Sequence, residues 1–377
     1  MSSVGRQFGG PVPGRNSMAV PVGPPTQVQD YSASILSSSA EIEGLKPLVK
    51  SSLPEYDTLR DPGFFLASVS KGWRPRVVVV HNGTELTGVL YAKERNVSGR
   101  NLGLVYADLS FGSLLLGNRS VQEDTFRVAL ETLLAHPRTC GIRLRILRGG
   151  PEVASVRKLL ASRRLDVRFS RVKDHVSLSL PDTYERLLQG FGSTTRHNFR
   201  YYRRCFEAAG HCYVDGLSLD ELRSAAVYLE PRCGRIGQQG SIERWLKMVA
   251  AADRPLAVGL KHRNGEWLSV VGGVYRPGAA LLLLQLNNDR DFPRESLSVV
   301  LRAYLIETLI RQGIKKFIIW AGTSPPLSRY MKPIPTLGIH LDVPGYKWRL
   351  VRWIVSTFGP WLPKQFRGDA RWIAPFG

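Results

Sequence analysis

Two Asn-Gly pairs limit what this chain can become more than any other feature. Asn82-Gly83 splits the run Pro75 to Tyr91 (PRVVVVHNGTELTGVLY), and Asn264-Gly265 separates Leu256–Lys261 from Trp267–Tyr275. Asn-Gly between β-rich runs supplies the positive φ angles of a tight hairpin turn, so each pair predicts two antiparallel strands. The elements after each hairpin are also alike. After the first come a helix at Val121–His136, apolar at 126, 129, 130, 133 and 134, then a strand at Ile142–Leu147. A helix at Pro151–Arg163 and a strand at Leu165–Phe169 continue this half. After the second hairpin come the apolar strand Ala279–Leu286, a helix at Ser296–Gln312 stopped by Gly313, and a strand at Lys316–Trp320. Two further helices, Leu219–Glu230 with Ser218 as cap and Ser241–Ala251, precede it. Hairpin, strand, loop, helix, strand thus occurs twice, roughly 180 residues apart. The expectation is an α/β (α+β) fold of two tandem halves, each a mixed twisted sheet flanked by helices. Two unrelated α+β domains are the alternative, because the halves share few residues.

At 377 residues, 43% hydrophobic and 22% charged, the chain can bury a substantial core. The order of elements divides it into a disordered leader (1–40), a first half (41–182), a second half (183–342) and a tail (343–377). The leader lacks the apolar run of an export signal. The longest apolar run, Ala279–Leu284, is far short of a membrane span. Cys140, Cys205, Cys212 and Cys233 have no C-x-x-C spacing, which excludes a zinc ribbon or a disulfide-stapled module and fits a reducing cytoplasm. No H-x-x-x-H pair and no G-x-S-x-G elbow occurs, so metal-dependent and serine-hydrolase chemistry find no support and no metal is expected. The net charge of +21 calls for an anionic partner: phosphate, nucleic acid such as tRNA, or an acidic membrane surface.

The basic charge is densest in Thr194–Gly210 (TTRHNFRYYRRCFEAAG). On a helix, Arg196, Arg200 and Arg203 form one stripe with Arg204 beside it, while Phe199, Tyr202, Phe206 and Ala209 form another that faces the core. Ser193 or Thr194 caps the start and Gly210 ends it. Only Glu207 shares the arginine stripe, which predicts an anion-binding face; a solvated basic face is the alternative. The spacing R-x-N-x-R-x-x-R-R resembles a segment of the CelD-type branch of the GNAT acyltransferase superfamily, associated with cellulose and exopolysaccharide operons. That branch is related to the Fem-type aminoacyltransferases. The resemblance covers roughly residues 50–340 and implies two GNAT-like halves joined near such a helix.

It also implies a site. GNAT domains hold the pyrophosphate of acyl-CoA, usually acetyl-CoA, between an apolar strand and the next helix N-terminus. Here that stretch is LLLLQLNNDRDFPRESLSVVL, with Asn287–Pro293 as the loop and Asn287, Arg290, Arg294 and Ser296 as the implied donor-binding residues. It lacks the family's glycines, and glycine eases close approach of backbone to phosphate. The matching stretch of the first half, Gly112–Asn118, has Gly112 and Gly117 alone, so that half reads as structural. In Gly322–Lys332 (GTSPPLSRYMK), Tyr330 takes the place of the late tyrosine that protonates a departing thiolate, with a packing role as the alternative. Glu230, ending a helix, is the candidate base for the acceptor's proton.

Beyond Pro344, Leu350, Val351, Ile354, Val355 and Phe358 share a helical face with Trp348, opposite Arg349 and Arg352. That pattern suits a helix lying on an anionic membrane surface or docked on its own domain. The chain is therefore expected to be a cytoplasmic, or peripheral inner-membrane, acyl-CoA-dependent N- or O-acyltransferase acting on a sugar or cell-envelope precursor. An aminoacyl-tRNA-dependent Fem-type transferase and a non-catalytic anion- or polymer-binding module are the alternatives.

Overall fold

The computed structural model describes residues 30–97, 100–162, 165–233, 239–320, 322–323 and 326–343, with residues 353 and 357. The leader up to residue 29 and almost all of the tail lie outside them. The first half begins with β1 (Tyr31–Leu36) and the short helices α1 (Ser39–Glu43), α2 (Lys46–Ser51) and α3 (Pro62–Ser68). Then come β2 (Trp73–Asn82), β3 (Glu85–Val97), β4 (Arg100–Asp108), α4 (Leu109–Gly112) and β5 (Leu114–Leu115). It continues with α5 (Arg119–Ala135), β6 (Gly141–Leu147), α6 (Pro151–Ser162) and β7 (Asp166–Ser170). The second runs β8 (His175–Ser179), α7 (Tyr184–Gln189), α8 (Ser193–Ala208), β9 (Cys212–Asp215), α9 (Leu219–Leu229) and α10 (Gln239–Ala250). It closes with β10 (Pro255–Lys261), β11 (Trp267–Arg276), β12 (Ala279–Asn287), α11 (Leu297–Arg311), β13 (Lys316–Ile319), β14 (Lys332–Ile334) and β15 (Thr336–Asp342).

The fold is α/β, with two mixed sheets flanked by helices. Both Asn-Gly turns form, with Gly83 at φ 59° and Gly265 at φ 92°, joining β2 to β3 and β10 to β11. In each half the third hairpin-side strand pairs in parallel with the strand after the long helix, β4 with β6 and β12 with β13. Ser218 and Glu221 form the capping box that opens α9. The expected cap of α8 is displaced by one residue. Gly192 is its N-cap without a side-chain bond, and Ser193 and Thr194 lie in its first turn.

The halves are not separable, which corrects the boundaries expected from the sequence. The first sheet has the order β1-β2-β3-β4-β6-β15-β7, so the last strand of the second half lies between two strands of the first. The second sheet has the order β14-β8-β13-β12-β11-β10-β9, so β8, expected in the first half, belongs to the second sheet. Residues 31–36, expected within the leader, are ordered: Tyr31–Leu36 pairs with Val77–Asn82 as an edge strand. Its serine-rich alternation (YSASIL) is too short and polar to stand out. At the end of β15, Asp342 lies 2.6 Å from Arg143 of β6 and 2.9 Å from Arg168 of β7.

Alternation decides which face each strand residue serves. In β2, Val78 and Val80 pack with Phe126, Leu130 and Leu133 of α5, while Val77 and Val79 pack with Ile42, Val49 and Phe65. Of the second sheet, one face is covered by α7, α8 and α11 through Leu188, Phe199, Phe206, Leu301 and Leu305. The other is covered by α9 and α10 through Leu222, Ala226 and Met248, joined by Phe64 of α3. Consecutive residues Phe64 and Phe65 thus serve different sheets. No helix among the described residues is long and apolar enough to cross a membrane.

Asp342→Ala leaves the buried Arg143 without its carboxylate, and is expected to cost about 3–5 kcal/mol. Urea unfolding followed by circular dichroism and by tryptophan fluorescence should show this as one shifted transition for both sheets. Two separate transitions would mean that the exchanged strand does not couple the halves.

Candidate functional site

The halves differ at the junction of parallel strand and helix. In the first, pairing of β4 with β6 continues to Asp108, the last residue of β4. Asn118 caps α5 by accepting the Val121 N–H at 3.1 Å. In the second, pairing of β12 with β13 stops at Leu282 and Ile319, while β12 runs on to Asn287. A bulge occurs at the point of divergence. Gly273 of β11 faces Leu282 and Gly272 faces Leu284, leaving Leu283 as the extra residue. Gly273 is required there, since a Cβ would come within 2.3 Å of the Leu281 carbonyl oxygen. Arg302 of α11 spans the divergence, bonding Gln285 Oε1 at 2.8 Å and Thr323 Oγ1 at 2.8 Å.

The start of α11 is strained. Ser296 lies at φ 47° and ψ 43°, the one non-glycine residue with positive φ among the described residues, and its side chain makes no cap bond. Such a conformation costs about 1–2 kcal/mol for an L-residue. The helix end therefore presents N–H groups that no Ser296 side chain answers, beside the exposed Arg290 and Arg294.

In the loop before it several N–H groups are already engaged within the protein. The N–H groups of Asn288, Arg290 and Phe292 donate to the carbonyls of Leu268, Arg232 and Asn288, at 2.8, 3.2 and 3.1 Å. The Asp291 N–H donates to Asn288 Oδ1 at 3.1 Å. Asn287 is also engaged, its Oδ1 accepting from Ser269 Oγ at 2.6 Å. Arg290 and Arg294 are exposed beside this loop and the end of α11. Arg232, whose carbonyl holds the loop, also lies 3.5 Å from Asp291. Glu230 is two residues away, and its Oε1 is buried without a hydrogen-bond partner.

Where β13 leaves β12, Trp320 lines a cavity of about 310 Å³ between the halves. Its walls are Phe64 and Phe65 of α3, Tyr91 and Lys93 of β3, Tyr106 and Asp108 of β4, Arg145 of β6, and Arg244, Trp245 and Met248 of α10. Leu283, the bulge residue, packs in the same apolar cluster as Trp245, Met248 and Trp320. Asp108 is held fast: Ser110 donates to it through Oγ, Tyr106 through its hydroxyl at 3.3 Å, and Arg145 lies 3.7 Å away. His175 Nε2 sits 3.0 Å from Ser110 Oγ, and with that hydroxyl committed to Asp108 the ring donates. Burial first, then the charge of Arg145, push His175 down to about 3, so it is neutral.

The other sequence-derived candidates are spread over the opposite face of the second sheet. The arginine stripe lines an open groove of about 700 Å³ between α7, α8 and α11, and it is better compensated than its own helix suggests. Arg200 pairs with Glu185 at 2.6 Å, and Arg203 with Glu307 at 2.6 Å and Glu207 at 3.0 Å. Glu185 and Glu307 come from α7 and α11, which corrects the expectation that Glu207 stands alone. Arg196 donates to the Phe191 carbonyl at 3.1 Å, and Arg204 lies exposed on the groove. Arg294 lies in a separate groove with Tyr201, Cys205 and His211. The Tyr330 hydroxyl accepts the Gly192 N–H at 2.8 Å and donates to Thr195 Oγ1 at 3.4 Å. It lines none of these three spaces.

None of the cavity's polar residues stands out in the sequence. The one available signal is Lys93, which by alternation continues the inward face of Val89 and Tyr91. Among the described residues no group of three His, Cys, Asp or Glu could hold a metal ion.

No protein-family model matches the sequence, and neither does any curated protein. Among solved structures the chain is similar to FemX, with a TM-score of 0.54 and 11% identity over 81% of this chain and 96% of that one. It is also similar to a conserved protein of unknown function from Bacteroides thetaiotaomicron VPI-5482 (0.53, 9%, 81% and 98%). A third is the C-terminal DUF2156 domain of a putative lysylphosphatidylglycerol synthetase from Agrobacterium fabrum (0.51, 10%, 85% and 97%). At these identities the likeness is one of fold alone.

Ser296→Gly removes the left-handed strain and is expected to raise stability by about 1 kcal/mol in urea unfolding. Tyr330→Phe should lower the melting temperature by releasing the Gly192 N–H. An unchanged melting temperature would mean that this bond is not a structural tie.

Proposed function

We propose that the protein is an acyltransferase whose donor lies along the divergence of β12 and β13 and whose acceptor enters the cavity between the halves. The observation that carries the reading is the asymmetry of the two junctions. One is zipped and capped; the other is bulged, open and strained beside an uncapped helix end. Backbone strain of this kind persists where surrounding structure enforces it, and it gathers at functional sites.

The donor is acyl-CoA, supplying an activated thioester. This chain's part is alignment of the two reactants and stabilisation of the charge that develops on the carbonyl oxygen by backbone N–H groups freed at the bulge. Arg290 and Arg294 take the donor's phosphates at the start of α11. Glu230, with its unpartnered oxygen, receives the proton that the acceptor amine or hydroxyl loses on attack. The acceptor is a sugar or cell-envelope precursor, as in the CelD-type branch that the arginine helix resembles.

An aminoacyl-tRNA donor is the second reading, favoured by the net charge of +21 and by a loop whose amides are already occupied. Thermal shift and transfer of radiolabelled acyl groups, run with acetyl-CoA, a longer acyl-CoA and aminoacyl-tRNA, decide between them. Glu230→Gln is expected to lower turnover about 10²–10⁴-fold with donor affinity nearly unchanged. Failure of all three donors to shift the melting temperature or to transfer a group would remove the reading.

A further inference from the structure

The cavity between the halves has more positive charge than it can settle internally. Arg145 is answered by Asp108, whose oxygens are also taken by Ser110 and Tyr106. Among the described residues Lys93 has a single oxygen within bonding distance, the Ser68 carbonyl at 3.3 Å, and lies 5.7 Å from the centre of the Tyr106 ring. Arg244 stacks 4.6 Å from the Trp245 ring, and its Nε is buried without a hydrogen-bond partner. Among the described residues neither cation has a carboxylate within ion-pair reach. Two such charges in one aromatic-walled space repel each other unless an anion lies between them. The remaining wall (Phe64, Phe65, Tyr91, Trp245, Met248 and Trp320) is apolar and flat-sided.

We propose that this cavity binds an anionic molecule with an apolar or aromatic body, its carboxylate or phosphate held between Lys93 and Arg244 and its body against Trp245 and Trp320. The inference rests on the reading of the cavity as the acceptor's place, and it gives that acceptor a chemical class. The groups facing Lys93 are Arg244 from α10, Asp108 and Tyr106 from β4, Arg145 from β6 and Tyr91 from β3. Burial, then the charge of Arg244, push the Lys93 ammonium down to about 8 against the pull of Asp108. A bound anion favours the protonated form, so affinity is highest below that value and falls as pH rises through it.

The test is calorimetric titration of the full chain with 1-naphthoate, 1-naphthyl phosphate, the neutral 1-naphthalenemethanol and inorganic phosphate. The naphthyl anions should bind at least about tenfold more tightly than the neutral analogue and than inorganic phosphate. The better of the two names the head group. Arg244→Met should lose that advantage, Arg244→Lys should recover most of it, and Lys93→Met should abolish the fall between pH 7 and 9. Circular dichroism checks that each variant is folded, and the wild-type comparison of anion with neutral analogue needs no variant. Equal binding of the neutral analogue, or unchanged anion affinity in folded Arg244→Met, would overturn the proposal. Naphthyl anion binding at this site with no acyl transfer from any donor would leave it standing and remove the catalytic reading alone.

Discussion

Asp342 sits between Arg143 and Arg168, at the end of a strand that the chain adds to its first sheet only after finishing its second. All else in the architecture depends on that placement. With β15 between β6 and β7, the first sheet is completed by the last strand of the second half, while β8, the first strand of that half, lies between β13 and β14. The ion pairs hold the register from Thr336 opposite Leu147 to Asp342 opposite Gly141. A buried pair of this kind adds little net stability over an apolar one. Its effect is to specify one register, since a slip by one residue would turn the apolar face of β15 away from the core. The cavity exists because the two sheets are held in one fixed relation by this exchange and by α3, whose Phe64 and Phe65 pack on different sheets.

Two halves of the same plan differ at one junction. The first closes its strand–helix junction with a full parallel ladder and a side-chain cap. The second gives up ladder bonds at a bulge, holds a serine in a left-handed conformation, and braces the resulting opening with Arg302. Each of those features is unfavourable taken alone. Together they form a cleft next to a helix N-terminus, bordered by an aromatic cavity with excess positive charge.

Local signals in the sequence survive intact. Asn-Gly turns, the Ser218–Glu221 capping box and the 3.6-residue periodicity of α5 depend on residues a few positions apart, and all appear where expected. What escapes is non-local. The arginine stripe reads as uncompensated because Glu185 lies 15 residues from Arg200, and Glu307 lies 104 residues from Arg203. Thr336–Asp342 carries no mark that it leaves its own half. Lys93, Arg145 and Arg244 come from three elements and meet only when both sheets are built. Glu230 is legible as an acid at a helix end, but its proximity to the loop before α11 comes through Arg232 and Asp291, a contact that spacing does not reveal.

The exchange of strands also bears on how such a chain can be inherited. A tandem repeat normally keeps the option of losing a copy, or of lending one to another protein. Here the first half on its own would expose an interior gap, with unpaired N–H and C=O groups of β6 and β7 offered to any passing strand. The first half therefore cannot be kept without the second, because its sheet is closed only by the strand on which the second half ends.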